Sequence, residues 1–255
     1  MPGQRTVPGV DHAAALVEQN HLLADLLGEA DLDTPVPTCP GWNLAQLMRH
    51  VGRFHRWAAE IVQTRAVDAI DPRTVAGGKP PADHDGALAW LRESPAVLID
   101  AVAVDPDIPV WTFTGPQPAR WWVRRRLYEA VVHRIDAALA LGTGYTVEPA
   151  LAADGLSEWL GLLAARPGAT ALREGATIHL HATDDGLGPD GEWTVRGGPD
   201  GISWDHGHGK GDAAVRGTAA DLLLTLLRRL PDDDHRLEIV GDQELWTAWL
   251  ANTPF

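Results

Sequence analysis

The sequence predicts a two-domain α+β protein, with a four-helix bundle over residues 1–145 and a small α/β domain over residues 146–255. Three observations carry this. Before residue 145, helix-forming stretches with apolar residues at three- and four-residue steps alternate with Pro- and Gly-rich breaks. After Gly144 the texture changes to short β-prone runs separated by Gly and Asp pairs. The chain has 255 residues, 45% of them hydrophobic, which is enough for two cores.

The first helix is expected over residues 11–29, with Asp11 as its N-cap. "ADLDTPVPTCPGW" then breaks the pattern. Asn43 restarts it, with Gln46 at capping-box spacing, and the second helix runs from Leu44 to about Arg65. Residues 66–82 are loop-like. A third helix is expected from about Asp85 to Val104, where Pro95 should bend or interrupt it. "DPDIPVWTFTGPQP" reads as a Pro-rich connection. The fourth helix spans Ala119 to Leu141 and stops at Gly142, a natural residue for the turn that ends a helix. In the second half, residues 149–165 read as a helix. "ATIHLHAT", "EWTVRG", "GISWDH" and "AAVRG" read as strands, "TAADLLLTLLRRL" as a helix, "RLEIVG" as a strand and "DQELWTAWLAN" as a closing helix.

Composition excludes some partners. A net charge of -14 argues against nucleic acid and anionic membrane surfaces, both of which need a basic footprint. No apolar run approaches the roughly 18–20 residues of a membrane span, and the N-terminal stretch lacks an apolar signal core. The single cysteine, Cys39, cannot form an internal disulfide, so a cytoplasmic protein is expected. Eleven Trp against three Phe and two Tyr is unusual but names no function.

Two helices carry the chemistry. Leu47, His50, Phe54, Trp57 and Ile61 step along one face of the second helix, which places His50 in an apolar stripe. On the fourth, Trp122, Arg126, Glu129, His133, Asp136 and Ala140 step in the same way. Glu129 and His133 stand at i and i+4 and point together. One carboxylate and two imidazoles from facing helices make a divalent-metal set that leaves coordination positions open. Spacing alone leaves a plainer reading in front, in which Glu129, His133 and Asp136 form a solvent face and His50 is an ordinary core histidine. His55 is a poor alternative ligand, turned roughly 140° from His50 by five helical residues.

Other candidates are weaker. His179 and His181 share a strand face, and His206 and His208 sit in "DHGHGKGD". The two pairs together offer a second metal set, but nothing along the chain joins them, and half-exposed strand and loop positions are the preferred reading. "GHGKGD" lacks the Ser or Thr a phosphate loop requires. Cys39, as a nucleophile, has no evident activator in the sequence.

"CPGWNLAQLMRHVGRFHRWAAEIV" and "RRRLYEAVVHRIDAALALG" resemble two segments of the mycothiol-dependent maleylpyruvate isomerase family, the Pro-Gly-Trp, helix, His segment and the Glu-x-x-x-His-x-x-Asp segment. "GEWTVRGGPDG" and "AAVRGTAADLLLTLLRR" are similar to its smaller C-terminal domain. The resemblance implies a DinB-like bundle whose divalent metal, usually zinc, is held by His50, Glu129 and His133, and it reverses the preference for the plainer reading. It also implies mycothiol, a low-molecular-weight thiol, as cosubstrate, with a small-molecule electrophile as its partner. Tyr128, where relatives often have His, and Arg228-Arg229, where many have Gly-Arg, are departures that bear on what binds beside the metal.

The implied chemistry is attack by a metal-stabilised thiolate. It leads to cis-trans isomerisation of the maleylpyruvate type or to S-transfer. Arg53, Arg126, Asp136 and Arg216 are the candidates for meeting the thiol or substrate. The alternatives are a DinB-like hydrolase using metal-bound water, and a non-catalytic metal- or ligand-binding protein. Nothing in the sequence fixes the oligomeric state.

Overall fold

The computed structural model describes Val7, residues 9–166 and residues 172–253. They fall into two compact units. One is Asp11–Tyr145. The other joins Thr146 onward to the residues up to Val10.

The first unit contains α1 (His12–Leu27), α2 (Leu44–Gln63), α3 (His84–Val104) and α4 (Arg120–Leu141). Their ends follow local chemistry. The Asp11 side chain accepts from the N–H groups of Ala13 and Ala14 and caps α1. The Asn43–Gln46 box is closed in both directions, at 3.0 and 2.9 Å. Gly142 ends α4 at φ 64°, a backbone conformation that costs glycine little.

Two expectations change. Helix α3 is not interrupted at Pro95. The proline is buried among core residues, and packing holds a helix together more than any one backbone bond does. The Pro-rich connection contains a short antiparallel ladder, β1 (Pro109–Val110) against β2 (Gln117–Pro118). Two residues a side are too few to show a period-two pattern.

Helix α4 is the central element. It is buried almost continuously from Trp121 to Ala138, and even Arg124, Arg125, Arg126 and Arg134 are 5% exposed or less. A solvent face for Glu129, His133 and Asp136 is therefore ruled out. The tryptophans explain part of the packing. The indole N–H of Trp57 donates to the Ile70 carbonyl at 2.7 Å, and that of Trp90 to the Gly77 carbonyl at 2.8 Å. Both bonds fix the long 66–82 loop to helices. Gly52 on α2 makes room for Trp90, since a Cβ there would sit 2.3 Å from the ring.

The second unit has α5 (Pro149–Ala164), β3 (Thr177–Ala182), β4 (Glu192–Gly198), β5 (Gly201–His206), β6 (Ala213–Gly217), α6 (Ala219–Leu226), β7 (Glu238–Gly241) and α7 (Gln243–Asn252). The sheet order is β5-β4-β3-β6-β7, antiparallel except for the β3–β6 pair. Alternation sorts its faces. Ile178, Leu180, Trp193, Val195, Ala213 and Val215 are fully buried on the core side. Thr177, His179 and His181 of β3, with Glu192 and Thr194 of β4, take the other side. Val7 also belongs here: it is buried, and its N–H donates to Asp154 Oδ1 on α5 at 2.8 Å. Among the described residues, no helix is long and apolar enough to cross a membrane.

Candidate metal centre

Helices α2 and α4 bring His50, Glu129 and His133 together. The Nε2 atoms of His50 and His133 lie 3.4 and 3.7 Å from Glu129 Oε2, and one donor atom from each residue falls within 4.8 Å of the others. Bonds of about 2.0–2.2 Å to a tetrahedral metal put ligand atoms roughly 3.3–3.6 Å apart. The two distances to Glu129 Oε2 are close to that spacing, and two imidazoles with a carboxylate are donor types a zinc-class ion takes.

The surroundings prepare these donors. Asp136, fully buried, accepts from Thr38 Oγ1 at 2.6 Å, from Cys39 Sγ at 3.4 Å and from His133 Nδ1 at 2.9 Å. An ionised carboxylate only accepts, so Nδ1 of His133 carries a proton and Nε2 is the nitrogen turned toward Glu129. Cys39, His133 and Asp136 form a second cluster of donors that shares His133, and its internal contacts are these hydrogen bonds. Trp42 lies over both imidazoles, with ring centroids 4.9 Å from His50 and 6.1 Å from His133. Phe54 packs on His50 at 4.6 Å.

Electrostatics differ between the ligands. Burial lowers His50 to about 4, so it is neutral and carries a lone pair at neutral pH. Burial works against the charge on His133, but hydrogen bonds to Asp136, Cys39 and Glu129 outweigh it and raise this residue to about 10. Burial would likewise raise Glu129, yet the Arg125 charge, the two histidine hydrogen bonds and Arg126 hold it well below the usual carboxylate range. Arg125 donates to Glu129 Oε1, and Arg126 stands 3.5 Å from Oε2.

The remaining candidates are dispersed. His55 is fully buried, bonds Asn20 Oδ1 at 3.0 Å, and receives Arg126 Nε at 3.5 Å on its other nitrogen, away from the three ligands. Arg53 is half-buried and donates to the Gly78 carbonyl at 2.9 Å. Arg126 lies 5.5 Å over the Phe54 ring. Arg216 belongs to the other unit, is exposed, and pairs with Glu238 at 3.2 Å. Reading the sequence by residue missed Thr38, Cys39 and Trp42 as supports of the site. Their one signal is the "PTCPGW" turn immediately before the His50 helix.

The family model for the mycothiol maleylpyruvate isomerase N-terminal domain matches residues 13–138, and the model for the MDMPI C-terminal domain matches residues 150–248. No curated protein matches the chain. Among solved structures, the chain is similar to a crystal structure of the mycothiol-dependent maleylpyruvate isomerase, at 15% identity and TM-score 0.55, over 87% of this chain and 90% of that one. The crystal structure of a histidine-to-alanine mutant of that enzyme aligns with the same values. At this identity the likeness establishes the two-domain α+β fold.

Proposed function

The chain belongs to the mycothiol maleylpyruvate isomerase family through both of its units, and from that premise we propose that it is a thiol-using enzyme whose bundle site holds a divalent metal, zinc first among the choices. The observation that carries the reading is the convergence of His50, Glu129 and His133, with Asp136 fixing the tautomer of His133. A metal held by these three residues supplies the charge that keeps a thiol ionised at neutral pH. Mycothiol is the proposed cosubstrate, and a small conjugated electrophile of the maleylpyruvate type the substrate.

The chain's own residues have defined parts. Asp136 keeps the proton of His133 on Nδ1. Arg125 and Arg126 keep Glu129 ionised. Trp42 and Phe54 cover the imidazoles and exclude water from one side. Arg126 and Asp136 are buried and act through the ligands. Arg53, half-buried on the second helix, is the candidate on the bundle that an anionic group of thiol or substrate reaches without repacking the core, while Arg216 stays a candidate in its own unit. In an isomerisation, the thiolate sulfur adds to a cis double bond, the resulting single bond rotates, and the thiol leaves to give the trans product. In an S-transfer, the adduct is the product.

The test is turnover of maleylpyruvate by zinc-loaded protein with and without mycothiol, followed by NMR. Conversion to the trans isomer only when thiol is present is the expected result. A stable thioether, detected by mass spectrometry, would assign S-transfer instead. Turnover without thiol would overturn the reading in favour of hydrolytic chemistry, and the absence of turnover with any electrophile would overturn it in favour of a binding role.

A further inference from the structure

The polar face of the β-sheet holds a second convergence that the bundle site does not use. His179 and His181 stand two residues apart on β3 and share a face. Glu192 is the cross-strand partner of His181 on β4. The fourth member, His208, comes from the loop after β5. Glycines bring it there. Gly207 takes φ 125°, and its N–H donates to the Glu192 carbonyl at 3.1 Å. Gly209 lies so close to β4 that a Cβ would meet Thr194 Oγ1 at 2.6 Å. The turn separates the two loop histidines. His206 faces Ser157 at 3.2 Å, while His208 reaches Glu192.

Three imidazole nitrogens point at one carboxylate oxygen. His179 Nε2, His208 Nδ1 and His181 Nδ1 lie 3.0, 2.7 and 3.6 Å from Glu192 Oε2. The rings stand close to perpendicular to one another, at 86–90°, and all four donor atoms fall within 4.8 Å. Hydrogen bonds from His179 and His208 use the two lone-pair sites of that oxygen, and His181 Nδ1, at 3.6 Å, is brought to the same point with no hydrogen bond to it. A cation in their midst accepts all four lone pairs at once.

We propose that His179, His181, Glu192 and His208 form a second metal site, closed by four protein ligands and suited to a zinc-class divalent ion. Three nitrogens and one oxygen fill a tetrahedron, so the site is structural. Its ion ties the exposed loop around Lys210 to β3 and β4. His208, with a side chain 79% exposed, is the ligand that closes it.

The test is elemental analysis of full-length, tag-free protein, loaded with zinc and then dialysed against metal-free buffer. About two zinc ions per chain are expected in the wild type, and about one in His181→Ala, in His208→Ala and in His50→Ala. His208 is exposed, so its truncation leaves the fold intact, and circular dichroism checks this. One zinc in the wild type that His50→Ala removes, or a second zinc that survives in His181→Ala or departs from the wild type on dialysis, overturns the proposal. One zinc that His181→Ala removes and His50→Ala retains would keep this site and sink the bundle site, so the two readings fail separately. A second readout is tryptic cleavage after Lys210. Zinc should slow it in the wild type and not in His208→Ala, and equal rates with and without zinc would overturn the loop-closing role.

Discussion

The two histidine clusters solve the same problem on different architectures. In the proposed bundle site, two of the candidate ligands come from one helix at i and i+4, the third from a facing helix, and a buried carboxylate hydrogen-bonds one of them. On the sheet, two ligands come from one strand at i and i+2, one from the neighbouring strand by register, and the last from a glycine-rich loop. The bundle set has three protein donors and leaves room for a reactant. The sheet set has four and leaves none. Burial separates them at one residue, because His179 is as buried as His133 and only the His208 side chain, at 79%, stands out in solvent. On these readings, the proposed reactive site lies where neighbours control its protons, and the proposed loop-fastening site lies where the loop can reach it.

The strongest way to break this comparison is His133→Ala. It should remove the bundle metal and lower thiol-dependent turnover by more than about 100-fold, since even outer-shell losses cost about 10–100-fold. Sheet-site metal should be unaffected, and parallel metal analysis and kinetics would check both. Next comes Asp136→Asn, expected to weaken bundle-site metal affinity or turnover by about 10–100-fold while the helical spectrum is kept. A wild-type affinity in that variant would mean that Asp136 does not orient His133.

A smaller effect sharpens the contrast in protonation. His133 is raised to about 10 in the metal-free protein, so it holds a proton that its unfolded counterpart loses near 6.5. Metal needs the Nε2 lone pair, so binding at pH 7–8 should release about one proton per ion, and the release should fade as pH approaches 10. Titration calorimetry in buffers of different ionisation heat measures it. His50, lowered to about 4, should release none. The least effect on metal is expected from His55→Ala, which should leave occupancy intact. It should cost about 1–3 kcal/mol of stability by stranding Asn20, as urea unfolding would show.

The clusters also differ in how far they can be read from sequence. The i,i+4 pair of Glu129 and His133 is local and visible, but its burial is not. Arginines at 124, 125, 126 and 134 give α4 the look of a solvent helix, and some of their partners, such as Gln19 for Arg134, sit on other elements. His179 and His181 are visible as a strand pair. Glu192 is not, because its place depends on cross-strand register over a ten-residue separation, and the sequence cannot tell which of His206 and His208 turns inward. The helices read well because their caps and breaks are local chemistry, as at Asp11, Asn43 and Gly142. The β1–β2 ladder was hidden by its brevity.

The residues before Asp11 have a consequence for modularity. Val7 is buried in the second unit and bonds Asp154, a fully buried carboxylate of α5. In connectivity, then, the bundle is an insertion into the other module, which the chain leaves at Val10 and rejoins at Thr146. A cut at residue 145 separates Val7 from the unit in which it is buried. It takes away a core side chain and a donor to a buried carboxyl group, so a fragment carrying the sheet should regain stability when the segment bearing Val7 is restored, by a linker or in trans.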